Sequence, residues 1–244
     1  MTVFPLPNKT LLSIVLLLTA FLTVNAQQDT NGLKPLKILS TVEAYQSSVQ
    51  ADPEKAMIEL KTVVPTIIYD LRYATKNNFT GKKLYPKNTH HTFLRKMPAN
   101  ALAEVQKELN EKGLVIKVFD VYRPYAVSKK FWDLIHDDRY VADPAKGSLH
   151  NRGLAIDMTL VDAKTGKELE MGTGFDDFTE KAHPDHMQFP ADILANRKIL
   201  RSVMEKNGFE QFPTEWWHYS WPDNRNYETL DIENEVLFPV ISAK

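Results

Sequence analysis

The chain contains no cysteine. Thiolate metal sites, cysteine nucleophiles, disulfides and a lipid carried on a cysteine at a processing site are all excluded. It also lacks a surplus of either charge, since 30 basic side chains face 31 acidic ones for a formal net of −1. A mixed, near-neutral balance gives no electrostatic reason to expect nucleic acid as a partner. Repeats and low-complexity tracts are absent. Beyond the N-terminus no segment is apolar enough to cross a membrane. The helical His-Glu-x-x-His signature of many zinc proteases is missing too.

What is present begins with an export signal. Lys9 is the single charge before an apolar run from Leu11 to Val24, and Val24-Asn25-Ala26 offers small residues where a signal peptidase cuts. The run is shorter than the roughly 20 residues of a spanning helix, and polar Gln27-Gln28-Asp29 follows. Residues 1–26 therefore read as a signal peptide, with an uncleaved anchor as the alternative. The expected location is periplasmic or extracellular, with no stable membrane association after cleavage. Residues 27–60 are polar without clear period and read as a leader of uncertain order. Residues 61–244 form the expected catalytic domain.

Val63–Leu71 (VVPTIIYDL) is rich in β-branched residues and reads as a strand interrupted by Pro65. A helix is expected over about 99–112, with Leu102, Val105 and Leu109 on one face and Gly113 ending it. Leu114–Val121 (LVIKVFDV) reads as a buried strand stopped by Tyr122-Arg123-Pro124. Further helices are expected over about 126–136 and 195–207. Helices interleaved with short strands give an α+β class, a single domain with a small mixed or antiparallel sheet flanked by helices.

Two short segments carry the chemistry. Ser148-Leu149-His150-Asn151-Arg152-Gly153 leads into the alternating run Leu154–Leu160, and Glu215-Trp216-Trp217-His218 lies near the end. Leu154, Ile156, Met158 and Leu160 share the core face of a strand, so Asp157 emerges on the other. His150, Asp157 and His218 are a sufficient ligand set for a catalytic zinc, leaving one tetrahedral position for water. Glu215 is then a spare carboxylate of the kind metal-assisted hydrolysis uses as a base. In a regular strand Glu215 and His218 would face opposite ways, so a loop after Pro213 or a bulge is required. Each residue also has an ordinary reading. A lone histidine is more often a surface or core residue than a ligand. Trp216, Trp217 and Trp221 suit a core or cleft wall.

Taken together, Ser148-x-His150-x-x-Gly153-x-Ala155-x-Asp157 and Glu215-Trp216-Trp217-His218 resemble the zinc D-alanyl-D-alanine dipeptidases of the VanX type. Tyr73-Ala74-Thr75-x-x-Asn78-Phe79-Thr80-Gly81, Asp120-x-Tyr122-Arg123-Pro124, Met171-Gly172 with Phe175-Asp176, and Asn207-Gly208-Phe209-Glu210 extend the likeness in family order across roughly residues 65–222. The resemblance implies that His150, Asp157 and His218 hold one zinc per subunit and that Glu215 is the catalytic acid/base. It implies that Arg123 stabilises the transition state and Asp176 holds the substrate's ammonium. Ser148 and Tyr73 match further pocket residues. The implied partner is a small dipeptide, D-Ala-D-Ala.

Two other functions share these residues: a wall carboxypeptidase or endopeptidase on the same scaffold, and a non-catalytic zinc-binding recognition module. An N/N/O ligand set also accepts several divalent ions, zinc being the preferred one. His183-Pro184-x-His186 matches no family motif and reads as loop.

Overall fold

The apolar run at Leu114–Asp120 forms an inner strand of the main sheet in the computed structural model, which describes residues 36–136 and 141–243 besides Met1. In chain order the elements are β1 (Ile38–Leu39), α1 (Val42–Ala51), β2 (Met57–Glu59), α2 (Leu60–Val63), β3 (Ile68–Tyr69), β4 (Phe93–Arg95), α3 (Lys96–Asn110) and β5 (Leu114–Asp120). They continue with α4 (Tyr125–Ile135), β6 (Ala155–Asp162), α5 (Ala191–Lys206), β7 (Glu210–Gln211), β8 (His218–Ser220), β9 (Thr229–Leu230) and α6 (Asn234–Ser242). The main sheet runs β3-β5-β6-β8-β7, with β3 parallel to β5 and the other neighbours antiparallel. Two short ladders, β1 with β9 and β2 with β4, complete an α+β architecture.

Hydrophobic periodicity explains the layering. Leu102, Val105 and Leu109 of α3 and Leu200, Val203 and Met204 of α5 meet Ile116, Val118, Ile156, Met158 and Leu160 in one buried cluster. The stripe at i, i+3, i+7 requires a helix face, and the alternation along β6 supplies the sheet face it covers. Gly113, at φ +68°, takes the left-handed conformation that turns α3 into β5.

The structure departs from the sequence reading in two places. Within Val63–Leu71 only Ile68–Tyr69 pairs as strand, and Val63 closes the helical turn α2. Pro65 has no N–H for a ladder, while Val64 and Ile67 are buried as loop residues. Their β-branched character reflects burial, not extension. The second departure is the leader. Its described residues, 36–60, are built into the fold. The Thr41 hydroxyl accepts from the Ala44 N–H at 3.2 Å to cap α1, whose Tyr45 and Val49 pack with Met57, Phe93, Tyr122 and Leu237. Only two residues of this helix are buried, too few to show as a period. The expected signal peptide, 1–26, lies outside the described residues apart from Met1. No described helix is long and apolar enough to cross a membrane.

Candidate active site

β6 lies between β5 and β8, and its pairing register builds the site. Asp157 sits opposite Asp120 on one side and His218 on the other. Residues directly opposite in a ladder share a face of the sheet. A bulge on β5 between Val118 and Asp120 is what brings Asp120 there. Without the extra residue, the strand's alternation would turn Asp120 toward the core.

His150 arrives from a single 3₁₀ turn, His150–Arg152, ended by Gly153 at φ +70°. The left-handed backbone at Gly153 favours glycine, and a Cβ there would lie 2.6 Å from the Met57 methyl and so would have to push that side chain aside. The His150 ring donates from Nδ1 to the Val121 carbonyl at 2.6 Å, which leaves Nε2 as the free lone pair. That Nε2 stands 3.4 Å from Asp157 Oδ2, and His218 Nδ1 stands 2.8 Å from Asp157 Oδ1. The ligating atoms of His150, Asp157 and His218 all fall within 4.8 Å of one another. Tetrahedral zinc bonds of about 2.0–2.1 Å place ligand atoms roughly 3.3 Å apart, so the spacing fits. Among the described residues this is the one group of three or more such side chains able to hold a metal. Burial opposes ionisation of Asp157, but the facing His150 and His218 rings outweigh it and hold the carboxyl below its usual range.

Glu215 lies in the loop after Pro213, as the loop alternative for this motif requires. The turn is closed by the His218 N–H donating to the Glu215 carbonyl at 3.3 Å. It brings Glu215 Oε2 to 3.8 Å from His218 Nδ1. Burial, reinforced by the charges of Asp157 and Asp176, pushes the Glu215 carboxyl up to about 7. A carboxyl so placed can both take and return a proton near neutrality.

Arg123 approaches from the β5–α4 turn. Its Nε and Nη2 lie 2.8 and 2.6 Å from Asp120 Oδ2, and its guanidinium rests 4.7 Å from the Phe131 ring centroid. Tyr85 donates its hydroxyl to the other Asp120 oxygen. Held on that edge, the guanidinium has remaining donors for the cavity that it lines.

Asp176 completes the ring of charge. It adopts φ +62°, its Oδ1 accepts the Tyr73 hydroxyl at 2.8 Å, and its Oδ2 is buried with no partner among the described residues. Burial, with help from Asp157 and Asp120, pushes its carboxyl up to about 7. Ser148 lines the same cavity, and its hydroxyl accepts the His150 N–H at 3.2 Å.

His150, Asp157, His218, Glu215, Arg123, Asp176, Ser148 and Tyr73 thus border one cavity of about 320 Å³, walled also by buried Trp217. Trp216 is buried beside it. His183 and His186 do not join the metal group, and the His186 ring packs on Phe189. Asp120 and Tyr85 also contribute, though the sequence reading gives them no site role. The available signal for Asp120 was its place three residues before Arg123 at a strand end.

The chain matches the sequence profile of the family Peptidase_M15, described as D-ala-D-ala dipeptidase, over residues 53–235. A D-alanyl-D-alanine dipeptidase of Escherichia coli (strain K12) is 35% identical over 174 residues, which cover 71% of this chain and 89% of the relative. One from Enterococcus faecalis is 30% identical over 188 residues, covering 70% and 93%. One from Streptomyces coelicolor is 29% identical over 185 residues, covering 68% and 92%. A solved LD-carboxypeptidase is 21% identical, with a TM-score of 0.36 over 56% of this chain and 63% of its own, too slight a likeness to carry weight.

Proposed function

The chain belongs to the Peptidase_M15 family of D-Ala-D-Ala dipeptidases, and from that premise we propose that it is an exported zinc metallopeptidase that hydrolyses free D-Ala-D-Ala. The observation that carries the reading is the convergence of His150, Asp157 and His218 beside Glu215, Arg123 and Asp176 on one cavity.

His150 Nε2, Asp157 and His218 Nδ1 would hold the metal, and the donor set of two imidazoles and a carboxylate suits zinc. Zinc there would supply a Lewis acid for the scissile carbonyl and lower the pKa of the attacking water. The charges also match the proposed contents. Asp120 is taken up by Arg123, which leaves Asp157, Asp176 and Glu215 to face a divalent cation and an ammonium.

The chain's own residues divide the remaining work. Glu215 takes a proton from water as it adds to the carbonyl and returns it to the leaving amine. Arg123 donates to the oxygen on which negative charge develops. Asp176, steadied by the Tyr73 hydroxyl, accepts the free ammonium of the dipeptide. An acylated amine would leave that carboxylate buried and unpaired, so the cavity favours dipeptides over longer chains. The signal-like N-terminus supports export, and hydrolysis outside the cytoplasm fits turnover or salvage of wall peptides.

The test is the ratio of kcat/KM for D-Ala-D-Ala to that for its N-acetyl form. Asp176→Asn should lower the free-dipeptide value by about 1.5–3 kcal/mol, the worth of a hydrogen bond to a charged group. It should narrow the ratio and leave zinc content unchanged. A ratio that does not move assigns length selection to something other than Asp176 and favours a carboxypeptidase acting on stem peptides.

A further inference from the structure

Two separate segments carry the proposed ammonium ligand and the proposed acid/base: 171–176 brings Asp176, and 215–218 brings Glu215. One buried side chain on α5 bonds the first directly and ties in the second through the turn at 181–183. Arg197 is 7% exposed and donates from Nε to the Met171 carbonyl at 2.7 Å, from Nη1 to His183 O at 3.0 Å and from Nη2 to Lys181 O at 2.9 Å. These bonds all go to main-chain carbonyls, so the fork fixes backbone and does not merely offset a charge.

The clamp continues on both sides. Arg197 lies 4.7 Å from the Phe189 ring centroid, and Phe189 packs so closely on Gly172 that a Cβ there would fall 2.7 Å from the ring. Asn196, its neighbour on α5, donates to Glu170 O at 3.0 Å. From the 181–183 turn, Ala182 O accepts the Trp216 N–H at 3.0 Å, and Trp216 Nε1 donates to Thr173 Oγ1 at 2.8 Å. The contacts form a closed circuit through Arg197, Met171, Thr173, Trp216 and Ala182. Asp176 lies three residues beyond Thr173, and Glu215 immediately precedes Trp216.

We propose that Arg197 is a positioning residue that sets the separation between Asp176 and Glu215, with the Thr173–Trp216 bond as the second tie, and thereby determines selection for the free dipeptide. The proposal rests on the roles given above to Asp176 and Glu215. An ammonium held at one end places the scissile bond against the acid/base only if the two carboxylates keep a fixed spacing. A misplacement of 1 Å costs about 10²-fold in rate, and residues that orient site groups are typically worth about 10–100-fold.

The experiment is a cycle in the zinc-loaded full chain, with D-Ala-D-Ala and N-acetyl-D-Ala-D-Ala as substrates. Arg197→Met keeps the apolar stem and removes every donor. It should lower kcat/KM for the free dipeptide by about 10–100-fold and narrow the ratio between substrates. In the Asp176→Asn background it should leave the ratio almost unchanged, since residues acting as a unit are not additive. Zinc content should stay constant, because His150 and Asp157 stand on other elements and His218 is held by its own ladder to β6. Equal losses on both substrates, carried in full into the double variant, would mean a purely structural arginine and overturn the proposal. If Asp176→Asn alone leaves the ratio unmoved, the role of Asp176 falls and this proposal with it. A ratio moved by Asp176→Asn but not by Arg197→Met overturns this proposal alone. Should Arg197→Met lose its cooperative thermal transition, Thr173→Val decides. It removes only the acceptor for Trp216 and should narrow the ratio by up to about tenfold, the scale of one hydrogen bond; an unchanged ratio contradicts the proposal.

Discussion

Glu215→Ala is expected to keep its zinc and lose about 10²–10⁴-fold in kcat/KM for D-Ala-D-Ala, the range for removing a positioned acid/base. The separation of binding from chemistry follows from geometry. Glu215 Oε2 stands 3.8 Å from His218 Nδ1, while His218 is held independently by its ladder to β6. Truncating the glutamate removes the proton acceptor without touching His150, Asp157 or the β8 register. Metal analysis and steady-state kinetics on the same preparation check both halves. A variant that retains zinc and turns over the dipeptide near the normal rate would remove Glu215 from the chemistry.

Arg123→Ala should lower kcat/KM by about 10²–10³-fold, by analogy with deleting an oxyanion donor. A second consequence comes from its partner. Asp120 is 1% exposed and is bound by the Arg123 Nε and Nη2 and by the Tyr85 hydroxyl. Removing the guanidinium leaves a buried carboxylate without its cation, a change that typically costs about 3–5 kcal/mol. The unfolding midpoint should therefore fall together with the rate. Arg123→Lys restores a positive charge but not the two-pronged fit to Asp120, so it should recover stability more than activity. The comparison is kcat/KM per zinc-loaded, folded protein for the three forms. An Arg123→Ala protein of normal specific activity would show that the oxyanion is stabilised elsewhere.

The convergence of His150, Asp157 and His218 was legible in the sequence because its parts lie in short local patterns. Alternation along Leu154–Leu160 turns Asp157 away from Ile156, and Pro213-Thr214 makes room for Glu215 in a loop. Asp120 was legible as the first residue of the Arg123 motif but not as a neighbour of Asp157. Its place at the site depends on a bulge between Val118 and Asp120 that no local pattern announces. Simple alternation would have sent it to the core.

Arg197 was hidden for a related reason. On a helical wheel it is one more basic residue of a charged helix, and only the backbone carbonyls of 171, 181 and 183 reveal what it holds. Elements with strong periods, α3, β5 and β6, fell within a few residues of expectation. Those with weak periods did not. α1 buries only Tyr45 and Val49, and the run Val63–Leu71 owes its apolar character to packing by Val64 and Ile67.

The measurement that bears most directly on the account is hydrolysis of a four-substrate panel by the protein: D-Ala-D-Ala, N-acetyl-D-Ala-D-Ala, L-Ala-L-Ala and a stem pentapeptide, before and after metal is removed with a chelator and zinc is added. The predicted result is preferential cleavage of free D-Ala-D-Ala that disappears with the metal and returns as zinc is added back to about one equivalent, the number a single site of two histidines and one carboxylate accepts. Preferential release of D-Ala from the pentapeptide, or a zinc-loaded protein that leaves D-Ala-D-Ala intact, would contradict it.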